Sequence, residues 1–73
     1  MNDMDDNKEF GRRIKAIRTT LGISQEELAF KCELNRTYMG ALERGEKTPS
    51  LNTILKLCKG LHISVSDFFK DWK

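Results

Sequence analysis

Apolar residues recur at helical spacing through most of the chain. The first group falls three or four positions apart, at Phe10, Ile14, Ile17 and Leu21. This spacing places apolar side chains on one face of an α-helix, with charged residues on the other faces. Gly22 follows the group and suits a left-handed C-terminal cap. The pattern predicts a first helix from Lys8 to Leu21, preceded by a flexible tail over residues 1–7.

Each later apolar group follows a residue that can cap a helix N-terminus: Ser24, Asn35, Ser50 and Ser64. Ser24 and Glu27 form a Ser-x-x-Glu capping box, so a second helix should begin at Gln25. The third should run from Arg36 to about Glu43. For the fourth helix, the expected inner residues are Leu51, Ile54, Leu55, Cys58 and Leu61. No segment alternates like a β-strand, so the predicted fold class is all-α with five helices.

Size and composition indicate one soluble domain, expected over residues 8–73. The chain has 73 residues, of which 38% are hydrophobic and 33% charged, and its net charge is +2. A domain of about 60–70 residues buries only about 60% of its unfolded surface, so a second subunit would add needed apolar contact. No run approaches the roughly 20 apolar residues that span a bilayer, and the start lacks the features of a signal peptide. We therefore expect a cytoplasmic protein.

The candidate metal-binding and catalytic residues are too few and too scattered for either chemistry. Cys32 and Cys58 lie at apolar helical positions, and the single histidine, His62, does not complete a metal site with them. We expect two reduced core thiols and neither a metal nor a cofactor. Asp67 and Asp71 lie one turn apart beside aromatic residues and fit solvated charges. An enzyme is therefore not expected.

The start of the third helix indicates DNA binding. Arg36 and Thr37 lie there above an apolar underside formed by Met39 and Leu42, as a helix that enters the major groove requires. Arginine can donate two hydrogen bonds to guanine, and the threonine methyl can pack on thymine. A cation at a helix N-terminus opposes the helix dipole, so a purely structural choice would favour Asp or Glu. The alternative is an ordinary solvated first turn.

Several motifs together resemble the Cro/cI-type (XRE-type) helix-turn-helix domain of phage repressors and bacterial regulators. They are Ser24-Gln25-Glu26-Glu27-Leu28-Ala29, Leu34-Asn35-Arg36-Thr37-Tyr38, Leu42-Glu43-Arg44-Gly45 and Pro49-Ser50-Leu51. The resemblance spans roughly Phe10 to Phe69 and implies a compact lambda-repressor-like bundle with the motif in helices 2 and 3. The Asn-Arg-Thr-Tyr run, the small size and the absence of a ligand domain most resemble restriction–modification controller proteins. Small phage repressors and stand-alone regulators share most of these features.

The resemblance implies roles for individual residues. Base contacts fall to Arg36, Thr37 and Tyr38. Phosphate contacts fall to Gln25, Asn35, Arg44, Lys47 and Thr48. The alternatives are a plain surface glutamine, an ordinary charged loop, and a tyrosine that shields the core. Arg18 and Glu43 match a buried salt bridge of the family. Glu33 replaces the usual turn glycine, and a left-handed conformation there costs roughly 1 kcal/mol.

The resemblance also implies partners: operator DNA, a second copy of the chain and RNA polymerase, with no membrane and no small-molecule ligand. The apolar residues expected at a two-fold interface are Leu61, Ile63, Val65, Phe68, Phe69 and Trp72. Such a dimer would present its recognition helices about 34 Å apart to a palindromic site. Tetramers on DNA stay open, as does a monomer with a solvated aromatic tail. Glu26 and Glu27 are the candidate polymerase contacts.

The leading hypothesis is therefore a homodimeric, sequence-specific transcriptional regulator, with activation and autorepression expected if it acts as a controller. A small phage-type repressor is the first alternative. The second is a protein-binding, antitoxin-like module, which would carry a longer disordered tail to wrap its partner.

Overall fold

The structure, a computed structural model, describes residues 3–72, which form five helices joined by short turns. In chain order they are α1 (Asp3–Leu21), α2 (Gln25–Lys31), α3 (Arg36–Glu43), α4 (Leu51–Gly60) and α5 (Val65–Phe68). No strand occurs over residues 3–72, so the predicted all-α, five-helix class is confirmed. No helix in this part of the chain is long and apolar enough to cross a membrane.

The first helix begins earlier than its apolar spacing predicts. It starts at Asp3 and not at Lys8, so α1 includes residues 3–7 of the segment predicted as a tail. Asp6 lies near the start of this helix, and an acidic residue near a helix N-terminus interacts favourably with the dipole. The expectation for Met1 and Asn2 lies outside the described residues.

The predicted helix starts from α2 onward are confirmed by their caps. Ser24 Oγ accepts a hydrogen bond from the Glu27 amide at 3.0 Å, and Glu27 Oε1 accepts one from the Ser24 amide at 2.8 Å. These two bonds form the predicted capping box. The hydrogen bonds lower the pKa of Glu27, so its carboxylate stays charged at neutral pH. The same kind of side-chain cap precedes the other three helices, at Asn35, Ser50 and Ser64.

The turn between α2 and α3 uses a non-glycine residue in the left-handed region, as expected. Glu33 has φ 58°, and its amide donates to the Phe30 carbonyl. The Leu34 amide donates to the Ala29 carbonyl at 2.9 Å. These two bonds close a Schellman cap, which satisfies carbonyls at the end of α2 and offsets the local strain.

The core lies where α3 packs against α1 and α2, and α4 and α5 cover its other side. The fully buried side chains include Ile14, Leu28, Met39, Leu42 and Leu57. Backbones approach closely at Gly11, where a Cβ would collide with the carbonyl of Leu42. Only glycine therefore lets α1 lie this close to α3.

The inner face of α4 differs from the prediction. Leu51 is 71% exposed and Leu55 is 48% exposed, whereas Leu57 is fully buried. Residues 57, 58 and 61 follow the helical spacing that faces the core, and positions 51 and 55 form a one-turn pair on the adjoining face. The expectation that Leu51 and Leu55 lie inside is therefore wrong.

The aromatic C-terminus packs onto its own chain. Arg13 donates to the Phe68 carbonyl at 2.9 Å and to the Lys70 carbonyl at 2.7 Å. Its guanidinium also lies 4.8 Å from the ring centre of Trp72. Phe69 lies against both Phe68 and Trp72, with ring centres 5.0 and 5.1 Å away. The aromatic residues therefore complete the monomer core, and they do not form a solvated tail.

This packing removes two residues from the predicted dimer interface. Leu61 and Phe68 are only 3% and 2% exposed within one chain, so they have no surface left to offer a partner. Ile63, like Phe69 and Trp72, is partly buried against the core. Of the six predicted residues, Val65 alone is exposed, at 40%. The spacing of apolar residues in the sequence does not distinguish those that complete the core from those that stay on the surface.

Candidate nucleic-acid interface

Two polar side chains stand exposed at the first turn of α3. Arg36 and Thr37 are both exposed, whereas Met39 beneath them is fully buried. Asn35 Oδ1 accepts the Tyr38 amide at 2.7 Å, which fixes the helix start and occupies this oxygen. The apolar underside therefore holds a polar helix end at the surface.

Five residues from α2, α3 and the end of α3 line one shallow depression: Gln25, Arg36, Thr37, Gly40 and Arg44. The position of Gly40 is central, because the Arg44 guanidinium lies 3.0 Å from the point where a Cβ would stand there. Two cationic and two neutral polar side chains thus converge on one surface. Such a surface suits an anionic ligand with hydrogen-bonding edges.

A three-residue hydrogen-bond network beneath the depression joins three helices. Arg18 of α1 binds Glu43 of α3 through two bonds, at 2.7 and 3.0 Å. Glu43 Oε1 also accepts a bond from Gln25 Nε2 of α2 at 3.1 Å. The Arg18 and Glu43 side chains are 14% and 3% exposed, and the bond to Glu43 raises the pKa of Arg18. The network fixes the Gln25 side chain beside Gly40.

Tyr38 occupies a different environment from Arg36 and Thr37. Its side chain is half-buried against the core, and its hydroxyl lies 3.5 Å from the Thr53 hydroxyl of α4. That separation exceeds the usual O–H···O hydrogen-bond range of about 2.5–3.0 Å, so the contact is weak. In this structure Tyr38 shields the core, and its contact with DNA stays a prediction.

The loop after α3 adds further polar groups. Arg44 binds Glu46 through two bonds, and Lys47 is exposed next to them. The Thr48 hydroxyl accepts a hydrogen bond from Asn7 of α1 at 2.8 Å. The predicted phosphate-contacting residues of this loop therefore lie on the surface, but two of them already have partners within the chain.

A match to a protein family identifies the class of protein that carries this surface. The helix-turn-helix family model matches residues 14–68. Control protein C.BamHI of Bacillus amyloliquefaciens is 42% identical over 59 residues, covering 80% of this chain and 73% of that protein. Control protein C.MunI of Mycoplasma sp is 37% identical over 97% of this chain and 95% of its own. The chain belongs to the helix-turn-helix family.

A solved structure agrees with this assignment. The restriction-modification controller protein C.AhdI from Aeromonas hydrophila matches with a TM-score of 0.89 and 42% identity. The match covers 94% of this chain and all of that one. In helix-turn-helix terms, α2 and α3 form the motif, and α3 occupies the position of its recognition helix.

Sequence analysis missed Lys8 as a neighbour of the recognition helix. Gly45 has φ +77°, and a Cβ there would stand 2.7 Å from Lys8 Cγ, so the two residues are in close contact. Lys8 is exposed and adds a cation beside the loop that follows α3. The apolar spacing of α1 gave no signal for this contact, because it depends on how α1 crosses the end of α3.

Metal and thiol chemistry find no support in the described part of the chain. Residues 3–72 contain no group of three or more His, Cys, Asp or Glu side chains that could hold a metal ion. Cys32 and Cys58 are free and buried, and burial raises the pKa of both thiols. Thiols with raised pKa values are poor nucleophiles at neutral pH.

Loss of the Glu43 carboxylate should destabilise the fold more than loss of an exposed one. Glu43→Ala leaves Arg18 buried without its partner, which costs about 3–5 kcal/mol and lowers the Tm of a small domain by roughly 12 °C or more. Glu46→Ala removes an exposed pair and should shift the Tm by only a few degrees. Thermal unfolding followed by circular dichroism measures both. Equal Tm values for the two variants would contradict a structural function for the Arg18–Glu43 pair.

Proposed function

We propose that this protein is a homodimeric, DNA-binding transcriptional regulator of the controller type, which binds a palindromic operator in the cytoplasm. The observation that carries the proposal is the exposed pair Arg36 and Thr37 at the start of the recognition helix. They share one surface depression with Gln25 and Arg44. The control proteins that this chain resembles along most of its length support the assignment to a regulator.

In the proposed complex, α3 enters the major groove with its N-terminus toward the bases. Arg36 donates two hydrogen bonds to guanine O6 and N7, and the Thr37 methyl packs on a thymine methyl. Tyr38 supports these residues from its half-buried position and is a further candidate for contact with DNA. The Arg18–Glu43 pair holds α1 against α3, so the base-contacting side chains start from a fixed backbone.

Phosphate contacts set the position of the protein on the duplex. Gln25 lies at the N-terminus of α2, where free amides and the helix dipole favour an anion. Asn35 is the N-cap of α3 and directly precedes its first residue. The other candidates flank the end of α3: Lys8, Arg44, Lys47 and Thr48. These contacts supply affinity and salt dependence but no sequence preference.

The dimer interface that we propose differs from the predicted one. Leu51 and Leu55 form an exposed apolar pair on α4, and Val65 is exposed at the start of α5. Ile54 and Ile63 are only partly buried beside the core. Covering these side chains with the same surface of a second copy would remove apolar area from water in a domain with little core of its own. A two-fold pairing would also match a palindromic site.

A second surface on α2 suits contact with RNA polymerase. Phe30 is 86% exposed and lies in a depression with Glu26, Glu27, Lys31 and Glu33. Glu27 is engaged in the capping box, so Glu26 is the better candidate of the two predicted glutamates. Because α2 meets DNA only through its N-terminus in the proposed complex, Phe30 stays accessible on bound protein.

Two alternatives remain distinguishable from this proposal. A phage-type repressor would bind DNA in the same way but would not require the α2 surface to activate transcription. An antitoxin-like module would bind a protein partner through a segment outside the bundle, whereas the controller matches cover almost the whole chain.

The first test is selection of bound duplexes from a random DNA pool at about 150 mM salt, since affinity without a stated salt concentration is uninterpretable. We expect a palindromic motif. Arg36→Ala should lose preference at one symmetric pair of positions and weaken binding by roughly 5- to 150-fold for each half-site, the value of one good bidentate base contact. Lys59→Ala is the charge-matched control on α4 and should leave the motif intact. Recovery of no motif by the unchanged protein would refute sequence-specific binding.

The dimer proposal predicts that one charge on α4 separates the subunits. Leu55→Asp should raise the dimer dissociation constant at least about tenfold, because a buried unpaired carboxylate costs more than about 1.4 kcal/mol. Sedimentation equilibrium measures the constant, and circular dichroism checks folding. Leu21→Asp is the matched control, since Leu21 is 51% exposed and is the last residue of α1, outside the proposed interface. Equal dissociation constants for the two variants would exclude this interface.

The activation proposal predicts variants that bind DNA but fail to activate. Phe30→Ala and Glu26→Ala should lower transcription from an activated promoter by about fivefold or more, the loss expected for an interface side chain that contributes about 1 kcal/mol. Their operator affinity should stay within about twofold of the unchanged protein, because neither side chain lines the depression that holds the proposed DNA contacts. Leu21→Ala serves as the control for loss of an exposed apolar group. Full activation by both variants would place the polymerase contact elsewhere.

A further inference from the structure

Arg44 is a cation of the proposed DNA surface that already donates hydrogen bonds within the chain from two of its three guanidinium nitrogens. Its Nε donates to Glu46 Oε2 at 2.9 Å, and a second guanidinium nitrogen donates to Glu46 Oε1 at 3.1 Å. Its guanidinium also lies across Gly40, in the depression that Gln25 and Arg36 line. A carboxylate of the same chain therefore holds a group that the proposed complex assigns to phosphate.

The backbone fixes the two partners at a constant spacing. The Glu46 amide donates to the Ala41 carbonyl at 2.9 Å, and the Gly45 amide donates to the Leu42 carbonyl at 3.1 Å. With Gly45 at φ +77°, these bonds form a Schellman cap in which Arg44 is the last half-helical residue. The cap brings Glu46 back beside Arg44, so the pair forms locally and needs no rearrangement of the helices.

The pair is exposed and therefore displaceable. The Arg44 side chain is 58% exposed and the Glu46 side chain 56%. Exposed pairs of this kind contribute little to stability, because water and salt screen them. Like a carboxylate, a DNA phosphate offers two acceptor oxygens to a guanidinium, and the other phosphates around it add negative charge. A DNA phosphate can replace the Glu46 carboxylate at Arg44. It must then lie close to the displaced carboxylate, and the two negative charges repel each other.

We infer that Glu46 competes with DNA phosphate for Arg44 and thereby sets the absolute affinity and salt dependence of the protein for DNA. Base choice stays with Arg36 and Thr37. The inference rests on the proposed DNA-binding function and adds a residue that opposes binding. The hydrogen bond from Arg44 lowers the pKa of Glu46, so the carboxylate is charged throughout the neutral range and the competition does not vary with pH there.

The test is a pair of binding titrations with Glu46→Gln, which keeps the side-chain shape and removes the charge. One duplex carries the selected motif and the other has random sequence. We expect both affinities to rise about two- to fivefold, the value of a weak exposed ion pair expressed as a binding ratio. The ratio of the two affinities should stay constant, and the slope of log affinity against log salt should steepen by up to about one for each subunit.

Two further variants separate competition at Arg44 from a general charge effect. Asp67→Asn makes the same change in net charge on α5, outside the depression that holds the proposed DNA contacts, and should leave both affinities within about twofold. In an Arg44→Gln background, Glu46→Gln should lose at least half of its gain. An undiminished gain there would overturn competition for Arg44.

The remaining outcomes are also decisive. Equal binding by Glu46→Gln and the unchanged protein overturns the inference and leaves the proposed function standing. A gain confined to the motif duplex overturns it as well, because phosphate competition acts on every sequence. If no variant, including the unchanged protein, binds either duplex, the proposed function fails and the inference fails with it.

Discussion

The buried ion pair between Arg18 and Glu43 is the interaction on which the proposed DNA surface depends. It joins α1 to the end of the recognition helix, and through Gln25 it reaches α2. Buried pairs add little net stability, since the cost of desolvation offsets most of the attraction. The two side chains must nevertheless keep their relative positions, because leaving one buried charge unpaired strongly destabilises the fold. The pair therefore fixes the relative positions of three helices, which a core of interchangeable aliphatic side chains would specify less sharply.

The groups that position the recognition helix, such as the Arg18–Glu43 pair, differ from the groups that are free to bind DNA. Glu43 has both oxygens engaged, and Asn35 uses its side-chain oxygen to cap α3. Arg36 and Thr37 stand exposed in front of this support. A side chain on a rigid helix loses little further backbone entropy on binding, so its contacts contribute more of their energy to affinity. In so small a domain, the residues that fix the helices therefore lie directly next to the residues that are free to bind.

Local chemistry made much of the fold predictable, and the failures lie where long-range contacts decide. Ser24 and Glu27 specify a helix start through neighbours in sequence, so their capping box was foreseen. Burial on α4 depends on which face meets α5, and spacing alone could not place Leu55 outside the core. The proximity of Lys8 to the loop after α3 likewise follows from the crossing of two helices. The Arg44–Glu46 pair was missed for another reason, since sequence shows both charges but not the cap that folds one back on the other.

The dimer proposed through the exposed leucines of α4 would make the activity of the protein depend on its own concentration. On the proposed dimer, the cost of leaving Leu51 and Leu55 in water is relieved only by a second copy, so folding stability and association are coupled. The amount of dimer then rises with the square of the monomer concentration while monomer predominates. Because a palindromic site binds two recognition helices, occupancy of the operator also rises steeply with protein concentration. A competitor such as Glu46 shifts the protein concentration at which occupancy begins without changing which sequence is occupied.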